Sequence, residues 1–229
     1  MAHYRAVGEV PPKRHTQFRR PDGGLYYEEL VGEEGFSSDS SLLYHRELPS
    51  AIVDARPWDL PDLSTTPNQP LLPRHLRLHD LFEGEEWKGA DVVTGRRLVL
   101  ANGDVRISYA VAGEPSPLYR DAVGDECLYV EEGVAMVEST FGRLEIGAGD
   151  YVIIPTSVIH RIVPRGGPVR MLTIEATGHI GPPKRYLSVR GQFLEHSPYC
   201  ERDLRAPAVK FLITEKPRGL IAQVVRARP

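Results

Sequence analysis

The residues from Gly124 to Pro164 constrain the fold of this chain more than any others. Short apolar runs, Cys127 to Val130, Val134 to Val137, Leu144 to Ile146, Tyr151 to Ile154 and Val158 to Val163, alternate with turn signals at Glu132-Gly133, Phe141-Gly142 and Gly147-Ala148-Gly149-Asp150. Strands this short, separated by glycine turns roughly every eight residues, belong to an antiparallel barrel or sandwich. The 20 prolines and 21 glycines among 229 residues agree, because both shorten elements and leave little room for long helices. The chain reads as all-β.

The order of residues within that stretch is more particular. Glu126 stands before LYVEEG, GAGDYVIIP follows, and His160 lies five residues after Pro155. This resembles the cupin pattern, in which a strand ending in a glycine turn carries a first metal motif and a P-x-G-x-x-H strand carries a second. Ser157 occupies the place of the second motif's glycine. The resemblance implies a cupin-like double-stranded β-helix, or jelly-roll, barrel, with Glu126 and His160 as metal candidates. The first motif is incomplete. Three or four N/O ligands must converge on such an ion, yet the positions where two further histidines would fall hold Tyr119, Arg120, Asp121 and Ala122. A barrel histidine bonded to a nearby carboxylate is the commoner use of a pair such as Glu126 and His160.

Residues 1–73 differ from the centre: they are rich in glycine, proline and charge, but keep aromatics at Phe18, Tyr26, Tyr27, Phe36 and Tyr44. Disordered segments are poor in aromatics, so this irregular N-terminal arm is expected to pack on its own barrel or on a neighbouring subunit. Residues 74–229 are then the barrel with a C-terminal hairpin. Leu71 to Asp91 reads as a linker with a short helix near Leu76, Leu78, Leu81 and Phe82, and with Trp87 as an anchor. Asn102-Gly103 between Leu98–Ala101 and Val105–Val111 is a strong hairpin signal. Arg165-Gly166-Gly167-Pro168 reads as a turn into a further strand, Thr177 to Pro207 as mostly loop, and Lys216 to Gly219 as the turn of a last hairpin. The closing strand of that hairpin, Leu220 to Val225, leaves an edge to be covered.

The arm carries a second resemblance. The succession KRHTQFR, PDG, LYYEELVG, EEGF, SSLLYH and LPS, from about Gly8 to Ser50, is similar to the N-terminal portion of the homogentisate 1,2-dioxygenase family, particularly its shorter bacterial members. The similarity resumes at the central barrel and at ERDLRAPAV. It implies an iron-dependent dioxygenase of tyrosine and phenylalanine catabolism that opens the ring of a small aromatic acid with dioxygen, in a homo-oligomer. The family holds Fe(II) with two histidines and a glutamate, a set that leaves positions open for substrate and oxygen. Those ligands lie in a second, C-terminal barrel, where a histidine is followed six residues later by the glutamate. His79 and Glu85 have that spacing, but in the charged segment HDLFEGEEWKG rather than on a barrel strand. No iron ligand is therefore carried over, and the 229 residues are expected to be the front part of a longer protein, inactive alone in ring cleavage. A free-standing cupin that binds a small ligand, and a small metalloenzyme using Glu126 and His160, are the alternatives.

If the arm closes over a barrel mouth, His15, Tyr119 and Asp121 are candidates for substrate contact. The basic run Lys13, Arg14, His15, Arg19, Arg20 reads as a subunit contact or a solvated face, since a net charge of −3 argues against a nucleic-acid partner. Cys127 and Cys200 form no disulfide framework, and a thiol on an apolar strand is inert. With no basic-then-apolar leader and no apolar run of membrane-spanning length, a cytoplasmic protein without a membrane partner is expected.

Overall fold

The computed structural model describes residues 19–32, 35–37, 40–52, 54, 57–58, 62–81, 88–207 and 222–224. Among the described residues ten strands run in the order β1 (Tyr27–Val31), β2 (Ser41–His45), β3 (Arg97–Ala101), β4 (Val105–Ala112), β5 (Tyr119–Asp121), β6 (Glu126–Ser139), β7 (Gly142–Gly147), β8 (Tyr151–Ile154), β9 (His160–Ala176) and β10 (Ala222–Val224). The helical pieces among the described residues are three short 3₁₀ turns, at Gly35–Ser37, Leu78–Leu81 and Lys184–Tyr186. The protein is all-β, and its eight-stranded sheet has the antiparallel pairings of a cupin-like jelly roll.

Two long strands hold the barrel together. β9 pairs with β4 and β5, and along nearly its whole length with β6, whose other edge pairs with β8 at one end and β7 at the other. The register of β6 explains how one strand serves both layers. Glu126, Leu128 and Val130 are buried, then the parity changes and Ala135, Val137 and Ser139 are buried. The change falls at Gly133, where the pairing with β9 shifts and the backbone takes φ 89°. A bulge adds one residue, so it flips the facing of all that follows while the strand bends across the corner. β9 does the same: His160 and Ile162 face inward before Gly166 and Gly167, and Val169, Met171, Thr173 and Glu175 after them. Glu132-Gly133 and Arg165–Pro168 are therefore not chain reversals, as the sequence suggests, but bends inside continuous strands.

The other turns form where expected. Asn102 Oδ1 accepts hydrogen bonds from the main-chain N of Asp104 and Val105, both at 2.8 Å, and β3 pairs antiparallel with β4 across that turn. Asp150 Oδ2 accepts the Gly147 N–H at 2.8 Å and closes the turn between β7 and β8. Inside the barrel, Leu128, Val130, Ile146, Ile162 and Met171 pack with almost no exposure. Burial of side chains of this size contributes about 1.5–3 kcal/mol each.

The described part of the arm lies on its own barrel. Val31 of β1 joins the core, Leu43 of β2 and Trp58 pack against it, and Glu29 pairs with His45 at 2.7 Å and with Arg120 of β5 at 3.8 Å. In the linker a 3₁₀ turn stands where a short helix is expected, and its His79 binds Glu131 of β6 at 2.9 Å. Phe18, Phe82, Trp87 and the turn at Lys216–Gly219 lie outside the described residues. The last strand among the described residues, β10, pairs parallel with β5. Among the described residues no helix is long and apolar enough to cross a membrane.

Candidate functional site

Backbone pairing assembles the site. Tyr119 of β5 stands opposite His160 at the start of β9, and Glu126 at the start of β6 stands opposite Glu175 near the end of β9. Two carboxylates directly opposed in a sheet repel each other. The compensating charge comes from just ahead of β3. There Asp91 Oδ1 accepts the N–H groups of Val93 at 2.7 Å and Thr94 at 3.1 Å, and Asp91 O accepts the Gly95 N–H at 2.9 Å. This tight turn buries Val92 and Val93 and directs Arg96 into the barrel, where its Nε donates to Val92 O at 2.8 Å.

Arg96 Nη1 lies 2.6 Å from Glu126 Oε1 and 3.4 Å from Glu175 Oε1. The Tyr119 hydroxyl donates to the same Glu126 Oε1 at 2.7 Å, and the guanidinium carbon sits 5.6 Å from the Tyr119 ring centroid. Glu126 Oε2 accepts no hydrogen bond among the described residues and faces His160 Nε2 at 3.7 Å. His160 Nδ1 lies 2.9 Å from Val158 O. A carbonyl can only accept, so Nδ1 carries the proton and the neutral ring turns the lone pair of Nε2 toward Glu126. Arg96, Tyr119, Glu126, His160 and Glu175 are all buried.

The electrostatics follow from this packing. Burial raises the pKa of Glu126, but Arg96 beside it, helped by the Tyr119 hydroxyl, outweighs burial and holds the carboxyl below its usual range. Burial opposes the charge of Arg96, yet Glu126, Tyr119 and Glu175 overcome it and keep the guanidinium protonated. Burial, then Glu126, push the Tyr119 hydroxyl well above its usual pKa. His160 falls below its usual value, because desolvation exceeds the pull of Glu126. At neutral pH the cluster therefore contains Arg⁺, Glu126⁻, a neutral imidazole and a neutral phenol.

The Fe(II) implied by the resemblance does not fit these donors. Among the described residues no group of three or more His, Cys, Asp or Glu side chains converges as a metal-holding set. Glu126 Oε1 already accepts from a guanidinium and a phenol, which leaves Glu126 Oε2 and His160 Nε2 as two facing donors, fewer than the three that an open iron site needs.

The other candidates divide. Tyr119 belongs to the cluster. Asp121 is buried and holds the second cupin motif in place: its carboxylate accepts the Val123 N–H at 2.7 Å, and its main-chain oxygen accepts the Ser157 N–H at 2.6 Å. Ser157, where the motif has glycine, adopts φ 66°. His15 lies outside the described residues. Burial raises the Cys127 pKa, as expected of an inert thiol. Sequence reasoning missed Arg96 and Glu175, and also Asp125, a buried carboxylate that accepts the N–H groups of Thr156 and Ile180 and pairs with His179, each at 2.8 Å.

No family model matches the chain. A Saccharolobus solfataricus protein, provisionally named a dioxygenase, is 32% identical over 92% of this chain and 53% of its own length. The homogentisate 1,2-dioxygenase of Emericella nidulans is 26% identical over 93% of this chain and 49% of its own. The chain is thus similar to dioxygenases, and spans about half the length of the curated relatives it matches. A solved Klebsiella pneumoniae protein with a double-stranded β-helix domain aligns with 48% of this chain and 95% of its own at 19% identity and a TM-score of 0.39. A cupin-2 domain protein of Shewanella frigidimarina aligns with 40% and 89% at 17% identity and a TM-score of 0.34. With scores this low, the fold assignment rests on the strand pairing itself.

Proposed function

We propose that these residues are the non-metal portion of a homogentisate 1,2-dioxygenase-like enzyme, which opens the ring of a dihydroxyphenyl acid with dioxygen in the cytoplasm as a homo-oligomer. One observation carries the reading: similarity to two dioxygenases extends over more than nine-tenths of this chain but only about half of each relative. Iron, on this reading, binds in another part of a longer protein. The barrel described here supplies scaffold and subunit contacts, and its buried Arg96–Glu126 pair is a structural centre rather than a ligand set.

The intact mass of the protein from its native host tests this. A mass well above 25.6 kDa is expected, with homogentisate-dependent oxygen uptake by that longer protein. A native protein of 25.6 kDa, or a longer one without such uptake, contradicts the proposal.

A further inference from the structure

We infer that Arg96 is the resident cation of this barrel, standing beside Glu126, the carboxylate that faces His160, and that the protein is closed to metals there for as long as Arg96 is present. This goes beyond the proposed function and holds whether or not the protein cleaves rings.

Three observations converge on it. First, a single nitrogen, Arg96 Nη1, lies between two buried carboxylates, 2.6 Å from Glu126 and 3.4 Å from Glu175. One positive centre thus offsets two residues that the β6–β9 register sets face to face. Second, Glu126 Oε2 and His160 Nε2 remain as buried acceptors 3.7 Å apart, without a hydrogen-bond donor between them among the described residues. A carboxylate oxygen and an unprotonated imidazole nitrogen facing each other are metal-type donors. Third, Arg96 arrives from outside the core strands, on the Asp91–Gly95 turn, and its own Nε is fastened to Val92 O. The cation is therefore built into the chain and cannot dissociate. A guanidinium is bulkier than a metal ion, and with it between Glu126 and Glu175 no three His, Cys, Asp or Glu side chains among the described residues converge as a ligand set. Without it, the carboxylates can close on a smaller cation.

The test uses the 229-residue chain with Co(II), whose visible absorption reports a His/carboxylate site. In the wild type, His160→Ala is expected to remove no cobalt, because none is bound at the cluster. In Arg96→Ala, about one equivalent of cobalt per chain is expected to bind with a rise in melting temperature, and Arg96→Ala with His160→Ala is expected to lose both. One equivalent lost on His160→Ala in the wild-type background would overturn the inference. So would equal cobalt content in the Arg96→Ala and Arg96→Ala/His160→Ala proteins. Failure of Arg96→Ala to fold even when refolded with Co(II) counts against it equally, since the metal is expected to replace the missing charge.

Discussion

At the scale of single residues, the account turns on charge compensation in a dry interior. Removing one member of a buried ion pair leaves the other uncompensated, at a cost of about 3–5 kcal/mol. Arg96→Met should therefore destabilise the barrel by about that amount in urea unfolding, whereas Arg96→Met combined with Glu126→Gln should recover a large part of the loss. If the double variant is as unstable as the sum of the two singles, the pair is not coupled. Ser157 offers the opposite test. Its φ of 66° is strained for any side chain, so Ser157→Gly should stabilise by about 0.5–1 kcal/mol, and a loss of stability would show that the hydroxyl matters more than the backbone. Sequence reading found Glu126, His160 and Tyr119, because the cupin spacing marks the first two and the third stands where a ligand was sought. It could not find Arg96 or Glu175. One arginine of the Arg96-Arg97 pair before a strand and a glutamate near the end of one look like surface residues until the register shows that Glu175 faces Glu126.

At the scale of elements, the informative features are the bends in β6 and β9. A glycine between apolar runs signals equally a reversal or a bulge, and only the partner strand's register distinguishes them. That is why Asn102-Gly103, whose preference is local, was legible as a hairpin, whereas Gly133 and Gly166-Gly167 were misread as turns. Gly133 cannot accept a side chain: φ is 89°, and a Cβ would come within 2.5 Å of Pro168 O. Gly133→Ala should cost about 2–4 kcal/mol, measured as a shift in the unfolding midpoint at constant slope. A cost below about 0.5 kcal/mol, the range of an ordinary surface substitution, would mean that the bend is not held as described.

At the scale of the whole molecule, the cluster gives stability a pH dependence. His160 has a folded-state pKa below its unfolded value of 6.5, so its contribution is complete above pH 6.5 and declines as the pH falls below it, because the unfolded state then binds more protons. Glu126, also depressed in the folded state, acts in the same direction at lower pH: its contribution is present above the unfolded value of 4.5 and is lost as the pH falls through its folded value. The melting temperature should therefore fall between pH 7 and pH 5, and His160→Gln should flatten that fall. An unchanged slope in the variant would exclude His160 as its source. The same buried cluster holds a guanidinium between its carboxylates and offers no set of three metal donors among the described residues. The most direct measurement is oxygen uptake with homogentisate by the 229-residue chain reconstituted anaerobically with Fe(II). No uptake above the protein-free iron control is expected. Sustained, stoichiometric turnover lost in His160→Ala would contradict the account at its centre.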